Sequence, residues 1–548
     1  MNVAAETVAW VRPPEPIRGL DHLGVQAPCI ALYGQLLPGI TNVTDRARYY
    51  AFYPWLVWSF ERRYTDHSVT EFRRVLRRAE CLFALVAIRH ARVVGDGDDG
   101  LHGRGMVGRD KLMRIPVDSA FALDDYATLD GPTRYFQNRL GGLAQYYFGP
   151  LRDLRVLDHH KSAGFPGYDE QRGRQLAEGF ASGVPEDAFF RVLEQATCTW
   201  EQLDALHAFC PCKLRENPRE HRLLLDLFLT RTDAFRDPGG ATRRATLGLM
   251  LDLISQPGGE PQYALEALLR GASYTGALLS GAPWTVAEAH QRALRGWGTY
   301  QRNELLSISL QGLFAAVLRA IERDAQGRIG QASDAADVAV RLLSSSSSSG
   351  KALSAPLEAH VSRVREHLPA LSDWRHMDHE VQRGWRLQRT RLRDDASLEA
   401  VAEESLAILL ALLARGVDAY PYGDFELDPE YFDPREIHLL SLRNASRSEW
   451  AGLTVEGWIR WVTVQWGVAR HLRVALRKLR GDQRDTFRIR PLEGELRVVE
   501  APEPVFTQPR VATAQQMLRD LGLVTRDAAG ALQLTELGQV ELEACRAS

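Results

Sequence analysis

Lysine is nearly missing from this chain. Of its 67 basic residues only Lys111, Lys161, Lys213, Lys351 and Lys478 are lysines, which leaves 67 − 5 = 62 arginines. With abundant Ala, Gly and Leu this bias fits a GC-rich coding sequence, so arginine number alone is no sign of phosphate binding. Cysteine is sparse too: six, scattered through 548 residues, which argues against a disulfide scaffold and for free thiols in a reducing cytoplasm. Neither sign of charge dominates. The 70 acidic residues leave a formal net charge of −3, so any polyanion-binding surface has to be a local patch. Long apolar runs are missing as well. The nearest, YYAFYPWLVWSF at 49–60, is well short of the roughly 20 residues a bilayer core demands, so no membrane contact is expected. The first residues, MNVAAETVAWVRPPEP, show no basic stretch followed by an apolar one, and no secretory signal is predicted. Local catalytic signatures such as HExxH and GxSxG do not occur. An enzyme built from dispersed residues would leave no such trace, so the catalytic residues are unassigned and no cofactor is expected.

What is present reads as a mainly α, multi-domain helical protein. A chain of 548 residues exceeds one core at roughly 100–200 residues per domain. In the aromatic stretch, Tyr49, Phe52, Tyr53, Leu56 and Phe60 share a helix face that Thr44 is placed to cap, and Trp55 and Trp58 load the other side, predicting a buried helix kinked at Pro54. Helix 68–93 opens with Arg73, Arg74, Arg77 and Arg78, read as a solvated face. The loop GDGDDGLHGRGMVGRD at 95–110 holds Gly103, Gly105 and Gly108 in GxGxxG spacing, but no strand leads into it, so it is read as a flexible loop rather than a nucleotide cradle. Asp96 and Asp98 do not continue into an EF-hand. The serine run at 344–350 reads as a linker, and the acidic, aromatic segment 420–436 as an irregular loop.

One device occurs twice. LRDLRVLDHH at 151–160 and LRDLGLVTRD at 518–527 each predict a helix end, a strand, a turn, a second strand and a closing helix through Gly173 or Gly538. That order resembles the back half of a winged helix, over residues about 132–182 and 510–545. A complete winged helix has two further helices ahead of the third, whereas 486–509 reads as a hairpin and a proline-rich connector. The resemblance implies nucleic-acid contact or, equally, docking of a partner protein. The segments expected from this pattern are an N-terminal helical domain at 1–183 ending in the first device, a helical bundle at 184–343, a serine-rich linker at 344–356, helices with the acidic loop at 357–449, and a C-terminal basic helix, hairpin and second device at 450–548.

The sharpest charged feature is VARHLRVALRKLRGDQRDTFRIR at 468–490. Arg470, Arg473, Arg477, Arg480 and Arg484 advance by three or four residues and fall within a stripe of about 80°. Val468, Leu472, Ala475, Leu476 and Leu479 are placed on the opposite face, and Arg488 and Arg490 follow on the hairpin. Such a guanidinium row suits phosphate oxygens, and a salt-bridged structural role is its rival. Arg386, Arg389 and Arg393 form a second arginine-rich face. Metal readings centre on Cys198, His207, Cys210 and Cys212, with His221 near. Cys210 and Cys212 stand as CxC rather than CxxC, so buried thiols are preferred to a structural zinc. His376 and His379 form a further HxxH pair. The leading expectation is a non-enzymatic protein contacting the phosphate backbones of DNA or RNA, in a regulatory or genome-defence setting. The rivals are a protein-interaction subunit and a hydrolase or nuclease with a dispersed site.

Overall fold

The computed structural model describes residues 21–95, 102–116, 119–131, 133–159, 164–256, 264–344, 352–416, 435–482 and 485–547. Among them helices dominate, and the strands are confined to three small antiparallel sheets. The chain folds into two compact units. One comprises Met1–Leu32, Gly271–Trp284 and Gly298–Thr507; the other comprises Tyr33–Arg270, Thr285–Trp297 and Gln508–Ser548. These are not the consecutive blocks the sequence suggests: residue 183 lies inside the second unit, and 450–548 is divided at Thr507. Apolar faces encoded late in the chain are buried against faces encoded early, and composition along the chain does not reveal that. The serine run 345–350 and the acidic loop up to residue 434 lie outside the described residues.

In the first unit, helix Asp395–Arg415 shows how local sequence sets element ends. Asp394 accepts from the Ser397 amide while the Ser397 hydroxyl satisfies the Asp394 amide, and Gly416, at φ 78°, stops the helix. Strand Glu495–Val498 pairs with Ile489–Leu492, as read from sequence, and on its other edge with Arg328–Ile329. Helix Glu288–Asp324, which belongs to the second unit up to Trp297 and to the first from Gly298, is the one described helix long and apolar enough to cross a bilayer. Its apolar window is 94% buried within the protein, so it is packed as a core helix.

In the second unit, helix Tyr49–Arg63 runs through Pro54 and is buried along nearly its whole length. The Trp55 ring packs tilted against Phe180 at 5.0 Å between centroids, and Phe52 stacks on Phe83 at 4.1 Å. Aromatic area of this size dominates core energetics. Thr44 does not cap this helix; its hydroxyl closes a turn with Thr41. Arg77 and Arg78 are not solvated either. Arg77 donates to the carbonyls of Ala127, Phe136 and Asn138, and Arg78 to those of Leu193 and Gln195 and to Asp124. Each guanidinium has five donors in a fixed fork and closes several chain ends at once, so burial leaves few donors unmatched.

Candidate functional site

The repeated device is present in both places, within the second unit. Helix Phe148–Asp153 leads to strands Leu157–His159 and Pro166–Tyr168 and to helix Arg172–Ala181. Helix Val511–Asp520 leads to Val524–Arg526, Leu532–Leu534 and helix Glu536–Arg546. The correspondence extends to single hydrogen bonds. Arg155 and Gly522 both adopt positive φ, 55° and 71°. Val156 N bonds Leu151 O at 2.8 Å and Leu523 N bonds Leu518 O at 2.9 Å, with Arg155 to Arg152 and Gly522 to Arg519 inside them. This is the Schellman ending, which satisfies the last carbonyls of each helix and turns the chain into the strand. At the start of the closing helices, the Asp169 carboxylate accepts from the Gln171 and Arg172 amides, and the Thr535 hydroxyl caps the second helix by accepting from the Gly538 amide.

Around the second copy opens a groove in two continuous lobes of about 430 and 540 Å³. Helix Val511–Asp520 forms one wall through Gln515, Gln516 and Arg519, strand Val524–Arg526 adds Arg526, and Arg510 stands at the helix start. Asn42, Asp45, Arg104 and Gly105 join the lobes, and the second continues along Arg109 and Lys111 to Tyr135, Phe136 and Tyr146. The turns of the 103–108 glycine segment build this rim. Gly105 and Gly108 have φ of 75° and 77°, and a Cβ on them would stand 2.6 Å from Asp45 Cβ and 2.5 Å from Tyr135 Cδ2. The glycines therefore serve turn geometry. Arg104 and Arg526 are exposed, and Arg510 is half-buried over the Tyr33 ring at 5.2 Å. None of the three forms an ion pair among the described residues. Burial pulls the Arg510 guanidinium below its usual range, and burial pushes the Asp45 carboxyl up. Nothing in local periodicity marks this groove, because its walls come from residues 42 to 526; only the exposed basic residues of the glycine loop hint at it.

The basic helix, Ala469–Asp482, exists but is partly turned inward. Arg470 is buried in the first unit, where it donates to the carbonyls of Leu23, Gly24 and Arg435 and pairs with Glu436. Arg488 is buried too and pairs with Glu500. Arg477 shares Glu436 at 2.9 Å, and Arg490 lies 3.3 Å from Asp485. Arg473 and Arg480 are exposed and form no ion pair among the described residues, while Arg484 lies outside them. The apolar face also differs from expectation. Val468, His471, Val474 and Ala475 are buried, and Leu476 is exposed. The helix is rotated because Arg470 reaches the backbone at 23–24 and His471 bridges the His22 carbonyl and the Arg488 amide at 2.9 and 2.8 Å. Of the second arginine face, Arg386 is held by Glu404 at 2.8 Å, and Arg389 and Arg393 are exposed.

The thiols and imidazoles regroup. Cys210 and Cys212 face His90 and His102, with all four donor atoms within 4.8 Å of one another. His102 Nδ1 lies 3.4 Å from Cys210 Sγ, and His90 Nδ1 lies 3.3 Å from Cys212 Sγ. Cys198 is instead buried beside the Val192 carbonyl, His207 stands 6.3 Å from the His90 ring, and His221 bonds the Leu521 carbonyl. His376 and His379 accept from backbone amides in their own turns. A hydrogen bond from Cys210 holds the Cys212 thiol below its ordinary value, and burial pushes Cys210 well above. Burial, followed by His102, lowers His90. The chain matches no protein-family model, and no curated protein or solved structure matches it significantly.

Proposed function

We propose that this chain is a cytoplasmic, non-enzymatic nucleic-acid-associated protein that holds phosphate backbones in the groove of its second unit and along the exposed edge of helix Ala469–Asp482, in a regulatory or genome-defence setting. The observation that carries this reading is the cluster of Arg104, Arg510 and Arg526, without ion pairs among the described residues, in one groove with Phe136 and Tyr146. Guanidinium groups without a carboxylate partner suit phosphate oxygens, although Arg510 and Arg526 each donate to one backbone carbonyl, and nearby rings offer stacking to unpaired bases. The helix, hairpin and helix order supports treating both devices as winged-helix-like. Because Val511–Asp520 follows a hairpin and a connector rather than two helices, it acts in this proposal as a groove wall and not as a helix inserted into the major groove.

Salt-dependent binding to mixed-sequence duplex and single-stranded nucleic acid tests the proposal. Steep weakening with salt is expected, and Arg104→Gln with Arg526→Gln lowers the log–log slope by about two. Wild-type protein that fails to bind, or a slope that those replacements leave unchanged, overturns it.

A further inference from the structure

We infer that His90, His102, Cys210 and Cys212 form a structural zinc site. In a tetrahedral zinc centre, bonds of about 2.3 Å to sulfur and 2.0–2.1 Å to nitrogen place neighbouring sulfur and nitrogen ligands roughly 3.5 Å apart. The two sulfur–nitrogen separations here are 3.3 and 3.4 Å. All four donors lie within 4.8 Å of one another, which surrounds a single ion. A two-iron cluster needs two ligand pairs held farther apart. Two thiolates and two neutral imidazoles in a tetrahedral set select zinc over magnesium, calcium or manganese, whose ligands are oxygens. With four protein ligands no position stays open for water or substrate, so the site is structural rather than catalytic.

The fold supplies the surroundings such a site needs. His90 projects from helix Val69–Val94, and Cys210 and Cys212 flank Pro211, where one short 3-10 turn gives way to another. Arg46 donates to the carbonyls of His102 and Arg104, at 3.0 Å each, and is anchored by Asp520. Arg48 donates to the carbonyls of Ala208 and Cys210 and is anchored by Glu220 through two 3.0 Å bonds. Two buried arginines, two residues apart, therefore hold the ligand-bearing backbones in place, one each. Zinc binding displaces the thiol protons of Cys210 and Cys212 to solvent and leaves a centre of zero net charge. It ties the helix at residue 90 to the segment at 210 and to the start of the 102–111 rim.

Metal analysis of the purified full chain tests this. About one zinc per chain is expected, falling close to zero in Cys210→Ser and Cys212→Ser, whereas Cys198→Ser and His207→Ala keep it. Because the ligand variants are also at risk of not folding, the wild-type protein supplies a second readout. After exchange to cobalt it should show thiolate charge-transfer and intense tetrahedral d–d absorption, and Cys212 should react with thiol reagents only after chelation. Wild-type protein without stoichiometric metal and without the cobalt spectrum overturns the inference. So does a Cys210–Cys212 disulfide in the protein as isolated, or a reactive Cys212 that a chelator does not affect.

Discussion

Gly538 lies directly under the Leu523 carbonyl: a Cβ on Gly538 would stand 2.0 Å from that oxygen. Gly173 has the same relation to Val156, at 2.4 Å. In both copies of the device the closing helix crosses the residue that precedes the first strand, and only a residue without a side chain fits the crossing. Gly538→Ala and Gly173→Ala are each expected to cost about 1–3 kcal/mol through overpacking. Denaturant midpoints check this, with Gly481→Ala, where a Cβ would meet nothing within 4 Å, expected to cost little or to stabilise. Equal midpoints for all three variants would remove the crossing as the reason for glycine.

Arg470 and Arg473 are three residues apart on one helix and should respond in opposite ways. Removing the Arg470 guanidinium leaves Glu436 without its closest partner and three carbonyls without a donor, so Arg470→Gln is expected to destabilise by about 3–5 kcal/mol. Arg473 is exposed, and Arg473→Gln should change stability by less than about 0.5 kcal/mol. Paired urea titrations decide it, and a similar loss in both variants would contradict the rotation of this helix.

His471 makes the first unit sensitive to acid. Burial holds it neutral, pushing its pKa from 6.5 down to about 4. The folded state thus refuses a proton that the unfolded chain accepts. Its contribution is complete above about pH 6.5 and is lost as pH falls toward 4, by about 3 kcal/mol. The measurement is unfolding free energy against pH for the wild type and His471→Gln. The variant, less stable at neutral pH because it loses the bond to the Arg488 amide, should show a shallower fall across this window; parallel curves would exclude the assignment.

Arg48 and Glu220 form a fully buried pair. Arg48→Met leaves the carboxylate without its cationic partner, with only the Asn217 amide still donating to it, and frees the Ala208 and Cys210 carbonyls, so a loss of about 3–5 kcal/mol is expected. The double variant Arg48→Met with Glu220→Leu should recover part of that loss, because no charge is left buried without a partner. A double variant no more stable than Arg48→Met would show that the carbonyl contacts, rather than the ion pair, govern this site.

The sequence alone determined what hydrogen bonds and side-chain periods within a few residues can specify. The helical character, a hairpin within 486–509 and both copies of the repeated device, down to Gly173 and Gly538, were legible because a helix end, a turn and a cap are closed by near neighbours. Tertiary structure decided which polar groups meet. Arg77 and Arg470 read as solvent-facing cations by period and Arg488 as a cation on the hairpin, yet long-range carbonyls and carboxylates draw them inside. Cys198 and His207 are closer in sequence to the CxC pair than His90 and His102, yet the latter reach it. The groove gathers residues from 42 to 526. Periodicity carries no information about contacts across such separations; packing of whole helices sets them, and a side chain's charge alone does not say whether its partner will be water or another part of its own chain.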